Sequence, residues 1–426
     1  MIVERVQSCM QIGRIAPQIH YVAPQHVRDV VASLGRTEDV RFSPSKRRLA
    51  VAQVLKDRIT VFEVSIAATQ DSKSIALTGV ADISSPDLHH PHGIDFFDDE
   101  KFLVVNRDGQ ACIFELPLGA LGSHELAPLA IIRSGDISTP GSVAVISKEQ
   151  GLYEALICNN YVHNVSRHLI DLGAEFSTKN GEVLLKKWLD VPDGICVSED
   201  THWIAVSNQS THTLFLYENN PSLKKLSDPD GILRHASYPH GLRFTSDGRF
   251  ILVTNAGSPY INLYEKDDSG WQGVRDPLLS FRILSNEDFL RGANTKEGGA
   301  KGLDINNAMN IFVTTCEAQP LAFFDLPKIL EGAGFGGRIL NSPNAGEKAA
   351  HNSSYVRPEG WSHSQKAPDL NYELYRGRIT AAITAALRSV LDPLRWVLWK
   401  LRITAALHWV LPQDLWERLH NLSRKV

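Results

Sequence analysis

The sequence lacks several features that would place it in a specialised class of proteins. Its 426 residues include only five cysteines, an odd number without a CxxC pair, which argues against a disulfide framework and against a thiolate zinc site. It has no run of eighteen apolar residues, so no conventional membrane-spanning helix is expected. The first twenty residues contain Glu4 and Arg5 and no apolar core, so no signal peptide is predicted. A reducing, cytoplasmic compartment is therefore expected.

The composition and the motifs exclude further classes of function. The formal net charge of −4 does not indicate a nucleic-acid partner, and an apolar content of 43% is typical of a soluble globular protein. The GxSxG, HExxH, P-loop and dinucleotide-binding motifs are all absent in a suitable context. Serine hydrolases, zincins and nucleotide-binding enzymes therefore have no support from the sequence.

An internal repeat is present instead. Six segments share a glycine-containing turn, a short alternating strand, a polar turn, an apolar strand, a polar break and another strand. They begin at Glu38, His92, Gly141, Asp193, His240 and Lys301, and the third is the weakest match. A repeat of about 40–50 residues rich in short strands is typical of a β-propeller.

The spacers between these segments have room for a fourth strand in each unit, as in 127–133 and 182–188. The sequence therefore predicts an all-β fold, a six-bladed β-propeller with a C-terminal helical extension. The propeller is assigned to residues 1–340, with blades from about 37, 91, 140, 192, 239 and 300. A seventh blade built from residues 1–36 and 320–370 remains an alternative, although these residues contain no recognisable motif.

Three segments open with similar triplets, Pro91-His92-Gly93, Pro192-Asp193-Gly194 and Pro239-His240-Gly241. With these openings the sequence resembles the lactonase-like propellers: the gluconolactonase/regucalcin and strictosidine-synthase group, the NHL-repeat proteins and the YVTN-type lactonase repeats. The resemblance covers about 290 residues. It implies architecture more than activity, because this fold carries hydrolases, lyases, synthases and binding modules.

The repeat predicts which side chains meet at one rim of the central channel. In a propeller blade the start of the first strand and the end of the second strand lie at the same rim. The strand starts contribute Glu38, His92, Asp193, His240 and Lys301, and the strand ends contribute Asn106, Asn159, Asn208 and Asn255. Alternatively, the asparagines bond their own loops and the Pro-x-Gly triplets are only turn sequences.

Imidazole and carboxylate groups at equivalent positions suggest a metal site. We assign Glu38, His92, Asp193 and His240 as its ligands, with Lys301 and the four asparagines as possible further rim ligands. The ion is divalent, and zinc, calcium, manganese and iron are not distinguished. The resemblance to regucalcin implies a glutamate, an asparagine and an aspartate, which Glu38 and Asp193 match in part. The two histidines instead resemble the zinc-dependent NHL lyases.

The last part of the chain has a different composition. After a linker at 341–371, residues 372–426 are rich in alanine, leucine, tryptophan and basic residues, and half of the eight tryptophans lie there. Arg388, Arg395 and Arg402 are spaced by seven residues on a predicted helical face. Such amphipathic helices are typical of segments that lie on an anionic membrane surface. Packing on the propeller, dimerisation and binding of a partner protein are the alternatives.

These observations predict a metal-dependent hydrolase or lyase of lactonase-like type, which acts on a small-molecule substrate at the channel rim. Asp193 is the candidate catalytic residue that handles the proton. The protein is expected in the cytoplasm, peripherally attached to the inner face of the membrane through residues 378–422. The alternative function is a non-catalytic propeller scaffold or ligand-binding module, tethered to a membrane or to a partner protein.

Overall fold

The computed structural model describes residues 10–335, apart from 70, 71, 150, 174, 175, 179, 180, 293 and 295. The predicted linker at 341–371 and the predicted helices at 372–426 lie outside the described residues and stay predictions. Among the described residues, no helix combines the length and the apolar character needed to cross a bilayer.

A short N-terminal segment precedes the repeats. It contains β1 (Met10–Ile15), β2 (Gln18–Ile19), β3 (Tyr21–Val22) and helix α1 (Gln25–Ser33). The helix buries Val27 and Val31 against the first and sixth blades.

Six sheets follow, and each begins with three consecutive antiparallel strands. The first blade comprises β4 (Thr37–Phe42), β5 (Arg48–Gln53), β6 (Arg58–Ala68) and β7 (Lys73–Ser84). The second comprises β8 (Pro91–Phe96), β9 (Lys101–Asn106), β10 (Gln110–Glu115) and β12 (Ala130–Ile132), while β11 (Gly122–Glu125) pairs with β7 of the first. The third comprises β13 (Pro140–Glu149), β14 (Leu152–Asn159), β15 (Asn164–Asp171), β16 (Ser177–Thr178) and β17 (Glu182–Leu185).

The remaining three blades repeat this plan. The fourth comprises β18 (Pro192–Val197), β19 (Trp203–Asn208), β20 (Thr213–Glu218), β21 (Gly231–Leu233) and β25 (Gly273–Arg275). The fifth comprises β22 (Pro239–Phe244), β23 (Phe250–Asn255), β24 (Tyr260–Glu265) and β26 (Leu279–Arg282). The sixth comprises β27 (Gly302–Asn306), β28 (Ile311–Thr315) and β29 (Ala322–Asp325), with helix α2 (Asn286–Arg291) before it and α3 (Leu326–Gly332) after it.

The first strands of neighbouring blades contact one another around a closed ring, since β4 touches both β8 and β27. The six-bladed propeller predicted from the repeat is therefore confirmed. The spacers provide outer strands as expected, because β12 pairs with β10 and β17 pairs with β15. Residues 18–19 do not begin a seventh blade: β2 pairs with β29 and supplies the outer strand of the sixth.

The hydrophobic core is divided into six clusters, one between each pair of neighbouring blades. Strand β19 shows how one strand serves two of them. Ile204 and Val206 pack toward the third blade, whereas Trp203 and Ala205 pack toward the fifth. Because side chains alternate between the two faces of a strand, a blade buried on both faces needs apolar residues at nearly every position. This explains the apolar second strands of the repeat.

Candidate functional site

The first strands position the central side chains. Glu38, His92, Asp193 and His240 are each the second residue of a first strand, in β4, β8, β18 and β22. Lys301 immediately precedes β27, at the equivalent place in the sixth blade. The ring of blades therefore brings five of the predicted rim residues to the same level of the channel.

The glycine after these residues allows the strands to approach each other. A Cβ atom on Gly194 would lie 1.8 Å from the carbonyl oxygen of His240, and one on Gly302 would lie 2.6 Å from the amide nitrogen of Val40. All three Pro-x-Gly triplets open strands, β8, β18 and β22, so the interpretation of the triplets as turn sequences is wrong. A glycine is needed where two backbones pack closely.

Four side chains meet at the centre of this level. Nε2 of His240 lies 3.2 Å from Oδ2 of Asp193 and 3.3 Å from Oε2 of Glu38, which in turn lies 3.5 Å from Nε2 of His92. The two imidazole rings stack with their centroids 5.5 Å apart. All four residues are buried, with at most 4% of any one exposed. We call these four residues the central cluster.

Two atoms of the central cluster have no hydrogen-bond partner. Oε2 of Glu38 and Nε2 of His240 are inaccessible and lie close together, yet neither makes a hydrogen bond of acceptable geometry in the described structure. Burying an unsatisfied polar atom costs about 1–3 kcal/mol, so such atoms call for an explanation. Both are atoms of the kind that bind divalent metal ions.

His92 is held in one neutral form. Its Nδ1 lies 2.5 Å from the carbonyl oxygen of Gly141, which can only accept, so Nδ1 carries the proton. Its Nε2 accepts from Nη2 of Arg107 at 2.6 Å. Burial lowers the pKa of His92 to about 3, and the nearby positive charge of Arg107 acts in the same direction, outweighing Glu38 and Asp193.

Asp193 is held as a carboxylate. Its Oδ1 accepts from Nδ2 of Asn160 at 2.7 Å, and its Oδ2 accepts from Nε2 of Gln209 at 3.4 Å. Burial opposes ionisation, but the neighbouring His240, His92 and Arg107 outweigh it, and the pKa of Asp193 falls to about 2. Asp193 therefore carries no proton at neutral pH.

Glu38 is surrounded by basic groups. Its Oε1 accepts from Nε of Arg36 at 2.6 Å. Burial would raise the pKa of Glu38, but the positive charges of Lys301 and Arg36 outweigh it and hold that pKa well below its usual range. Nζ of Lys301 is itself paired with Oε2 of Glu297 at 2.9 Å.

Several residues of this site are absent from the sequence prediction. Arg107, Asn160 and Gln209 each follow the last residue of a second strand, one position after the asparagines that the repeat selects. The same repeat could have identified them, had the position after each strand been considered. Arg36 and Glu297 lie in connecting loops and share no repeat position.

The four predicted asparagines lie elsewhere. The side-chain oxygen of each accepts from a backbone N–H in the loop before the first strand of its own blade. These bonds join Asn106 to His89 (3.2 Å), Asn159 to Ser138 (2.9 Å), Asn208 to Asp190 (2.5 Å) and Asn255 to Ser237 (2.8 Å). The oxygens that were candidate ligands are thus used to hold loops, as the alternative interpretation predicted.

The geometry of the central cluster suits a small divalent ion. Glu38, His92 and His240 each offer one ligand atom, and these atoms lie within 4.8 Å of one another. Two atoms bound to one zinc ion at about 2.0–2.1 Å and a tetrahedral angle are about 3.3–3.4 Å apart. The separations of 3.2, 3.3 and 3.5 Å in the central cluster are close to that value. His92 is the exception in one respect, because Arg107 already occupies its Nε2 lone pair.

Comparison with known proteins gives one family match. A family model described as lactonase, seven-bladed β-propeller, matches residues 27–271. No curated protein matches the sequence. Among solved structures, a functionally unknown protein from Desulfotomaculum acetoxidans is 13% identical, with a TM-score of 0.46 over 68% of this chain and 82% of that one. A putative 6-phosphogluconolactonase from Bacteroides uniformis is 16% identical, with a TM-score of 0.39 over 55% of this chain and 67% of that one.

Proposed function

We propose that this chain hydrolyses lactones at the central cluster with the help of a divalent ion. The chain belongs to the seven-bladed β-propeller lactonase family, although its described part forms six blades. The observation that carries the proposal is the pair of buried atoms without hydrogen bonds, Oε2 of Glu38 and Nε2 of His240. Membership of the family supports a hydrolytic reaction. The two buried atoms support the binding of a metal ion.

The ion would be held by Glu38, Asp193 and His240, with His92 as a fourth ligand only if Arg107 turns away. Two imidazoles with carboxylates favour zinc, manganese or iron over calcium, which prefers oxygen ligands alone. When bound, such an ion lowers the pKa of a water molecule and polarises a carbonyl group.

The residues of the chain would divide the remaining tasks. Hydrolysis of a lactone adds water to the carbonyl carbon, breaks the ring C–O bond and leaves a carboxylate and an alcohol. Asp193 is the acceptor for the proton of the attacking water. It passes that proton on to the leaving alkoxide oxygen. Arg107 and Lys301 would stabilise the negative charge that develops on the carbonyl oxygen.

One observation favours the alternative of a non-catalytic binding module. The charged groups of this region already compensate one another, since Arg36 pairs with Glu38 and Lys301 with Glu297. A buried cluster of this kind can be stable without any ion. The two functions differ in whether the purified protein carries a metal ion.

The decisive experiment combines metal analysis with a lactone assay. Protein purified without chelators is analysed for metal content, and acid release from a series of γ- and δ-lactones is followed before and after dialysis against a chelator. The proposal expects bound zinc, manganese or iron, activity that chelation removes and that the metal restores, and loss of both in the His92→Ala/His240→Ala double variant. His235→Ala, at an exposed histidine beside Asp276, is the matched control.

Two results would contradict different parts of the proposal. Metal-free protein that retains full activity would overturn the role of the ion. A folded protein that hydrolyses no lactone with any added ion would favour the binding module.

We also propose that residues 378–422 attach the protein peripherally to an anionic membrane surface on its cytoplasmic side. The support is the sequence alone: between residues 373 and 426 Lys and Arg number nine, against four Asp and Glu, and four tryptophans lie there. Basic residues near an anionic surface contribute about 1 kcal/mol each.

A further inference from the structure

The first strands carry a second set of residues deeper in the channel. Each blade contributes the residue three positions after its repeat start at Glu38, His92, Gly141, Asp193, His240 or Lys301. These residues are Arg41, Asp95, Ala144, Cys196, Arg243 and Asp304. At about 3.3 Å per residue, this level lies about 10 Å further along the strands. We call these six residues the inner ring.

The position of the inner ring depends on an irregularity in the strands. In a regular strand, residues three positions apart face opposite sides of the sheet. The first strands of the first five blades each contain a register shift just after their start. An extra residue of this kind reverses the alternation. Arg41 and Glu38 can therefore both face the channel.

The inner ring lines a cavity of about 190 Å³. Pro44 and Lys46, from the turn between β4 and β5, also line it, so it opens at the end of the channel opposite the central cluster. The third and fourth blades contribute the small side chains of Ala144 and Cys196 to the inner ring, and Val145 and Val197 beside them also line the cavity.

The carboxylates of the inner ring are already paired with arginines and with backbone N–H groups. Oδ1 of Asp304 lies 2.8 Å from Nε of Arg243, and Oδ1 of Asp95 lies 3.0 Å from Nε of Arg41. Their second oxygens accept backbone N–H groups, from Phe42 at 2.8 Å and Val145 at 2.7 Å. Each oxygen of the two carboxylates thus already accepts at least one donor.

The guanidinium groups, in contrast, have donors to spare. Among the described residues Nη2 of Arg243 has no hydrogen-bond partner, although this side chain is more than nine-tenths buried. Nη2 of Arg41 reaches only the carbonyl oxygen of Val143, at 3.4 Å. With Lys46 at the opening, three cations line the cavity against two carboxylates. Asp39 lies nearby but is bonded to the N–H groups of Val40 and Ile94.

We propose that this cavity binds a small oxyanion, a carboxylate or a phosphate, through Arg243, Arg41 and Lys46. The anion accepts from the guanidinium groups of Arg243 and Arg41 and from Nζ of Lys46, the three cations that line the cavity. Planar guanidinium groups are well suited to carboxylate and phosphate oxygens. This site is separate from the central cluster and does not depend on the function proposed there.

The test measures the melting temperature and the dissociation constant of the full chain with inorganic phosphate, acetate or chloride at one ionic strength. Phosphate or acetate should raise the melting temperature, whereas chloride should not. Arg243→Gln and Lys46→Gln should each weaken binding at least tenfold. Lys46 belongs to no described ion pair, so its variant tests the site even if Arg243→Gln fails to fold.

Two control variants separate this site from other basic regions. Arg234→Gln changes an exposed arginine paired with Asp276 and should leave anion binding unchanged. Arg107→Gln removes a cation beside the central cluster and should also leave it unchanged. The proposal is overturned if neither oxyanion stabilises the protein more than chloride does. It is equally overturned if binding is lost in Arg107→Gln and kept in Lys46→Gln.

Discussion

Arg107 and His92 form a contact in which the guanidinium can only donate, so the imidazole nitrogen opposite it, 2.6 Å away, must keep its lone pair. Protonation of His92 would place two positive groups face to face in a buried site. The pKa of about 3 follows from this burial and from that charge.

The stability of the protein should therefore decrease in mild acid. Unfolded His92 has the ordinary pKa of 6.5, so below that pH the unfolded chain binds a proton that the folded chain does not. His168, whose pKa burial lowers to about 4, acts in the same direction. We expect the melting temperature to fall as the pH is lowered from about 6.5 toward 3, and His92→Gln to reduce this dependence. A melting temperature that rises between pH 7 and pH 5 would contradict the assignment.

Gly194→Ala should destabilise the propeller strongly. The added methyl group would meet the carbonyl oxygen of His240 at 1.8 Å, and the two strands would have to move apart. Overpacking of this kind costs about 1–3 kcal/mol or more, which a urea titration measures. Gly135→Ala is the control, because a Cβ atom there would have no atom within 4 Å beyond its own chain neighbours. Equal stability of the two variants would show that the strands tolerate separation.

Asn208→Ala should reduce stability with little direct effect on catalysis. It would remove the acceptor of the Asp190 N–H and one donor to the carbonyl of Trp188, at a cost of about 1–3 kcal/mol. Equilibrium unfolding measures this cost, and kcat of the folded fraction should stay within a few-fold of the wild type. If Asn208→Ala lowers the affinity of the protein for the metal, Asn208 is a metal ligand and the prediction is wrong.

Asp193→Asn should instead lower kcat with little effect on stability. Loss of the proton acceptor is expected to lower kcat by about 10²–10⁴ while the fold is kept, because the amide can occupy the same space. Asn160→Ala, which removes the donor to Oδ1 of Asp193, should lower kcat by a smaller factor. If Asp193→Asn hydrolyses lactones at the wild-type rate, the proton acceptor is another residue.

The membrane proposal is tested by sedimentation with liposomes. The full chain should sediment with vesicles that contain anionic lipid, and a chain that ends near residue 370 should not. Binding should weaken with salt, because charges are screened over about 8–10 Å near physiological ionic strength. Replacing Arg388, Arg395 and Arg402 with glutamine should weaken binding, whereas a neutral variant that sediments as before would exclude the electrostatic mechanism.

The sequence predicts the parts of this structure that repeat. His92, Asp193 and His240 follow a proline and precede a glycine in three blades, so their convergence could be inferred from the period alone. The repeat does not predict Arg107, because a sequence pattern locates the end of a strand only approximately. Asn106 binds a loop, whereas Arg107, the next residue, contacts His92.

Other features depend on contacts that no period can reveal. Gly141 aligns with His92 in the third blade, and its carbonyl oxygen orients the His92 ring. Arg36 acts on Glu38 from a loop. The inner ring depends on register shifts whose positions are set by the packing of neighbouring strands.

The pairing of β2 with β29 has a consequence for synthesis. Gln18 lies opposite Phe324 and Ile19 opposite Phe323, so residues near the start of the described chain leave the ribosome early but acquire their partners last. Until translation reaches the sixth blade, β2 has no β29 to pair with. The first blade also lacks the neighbour with which it shares a hydrophobic cluster. Because domains generally fold as units, the ring is completed only after the sixth blade has emerged.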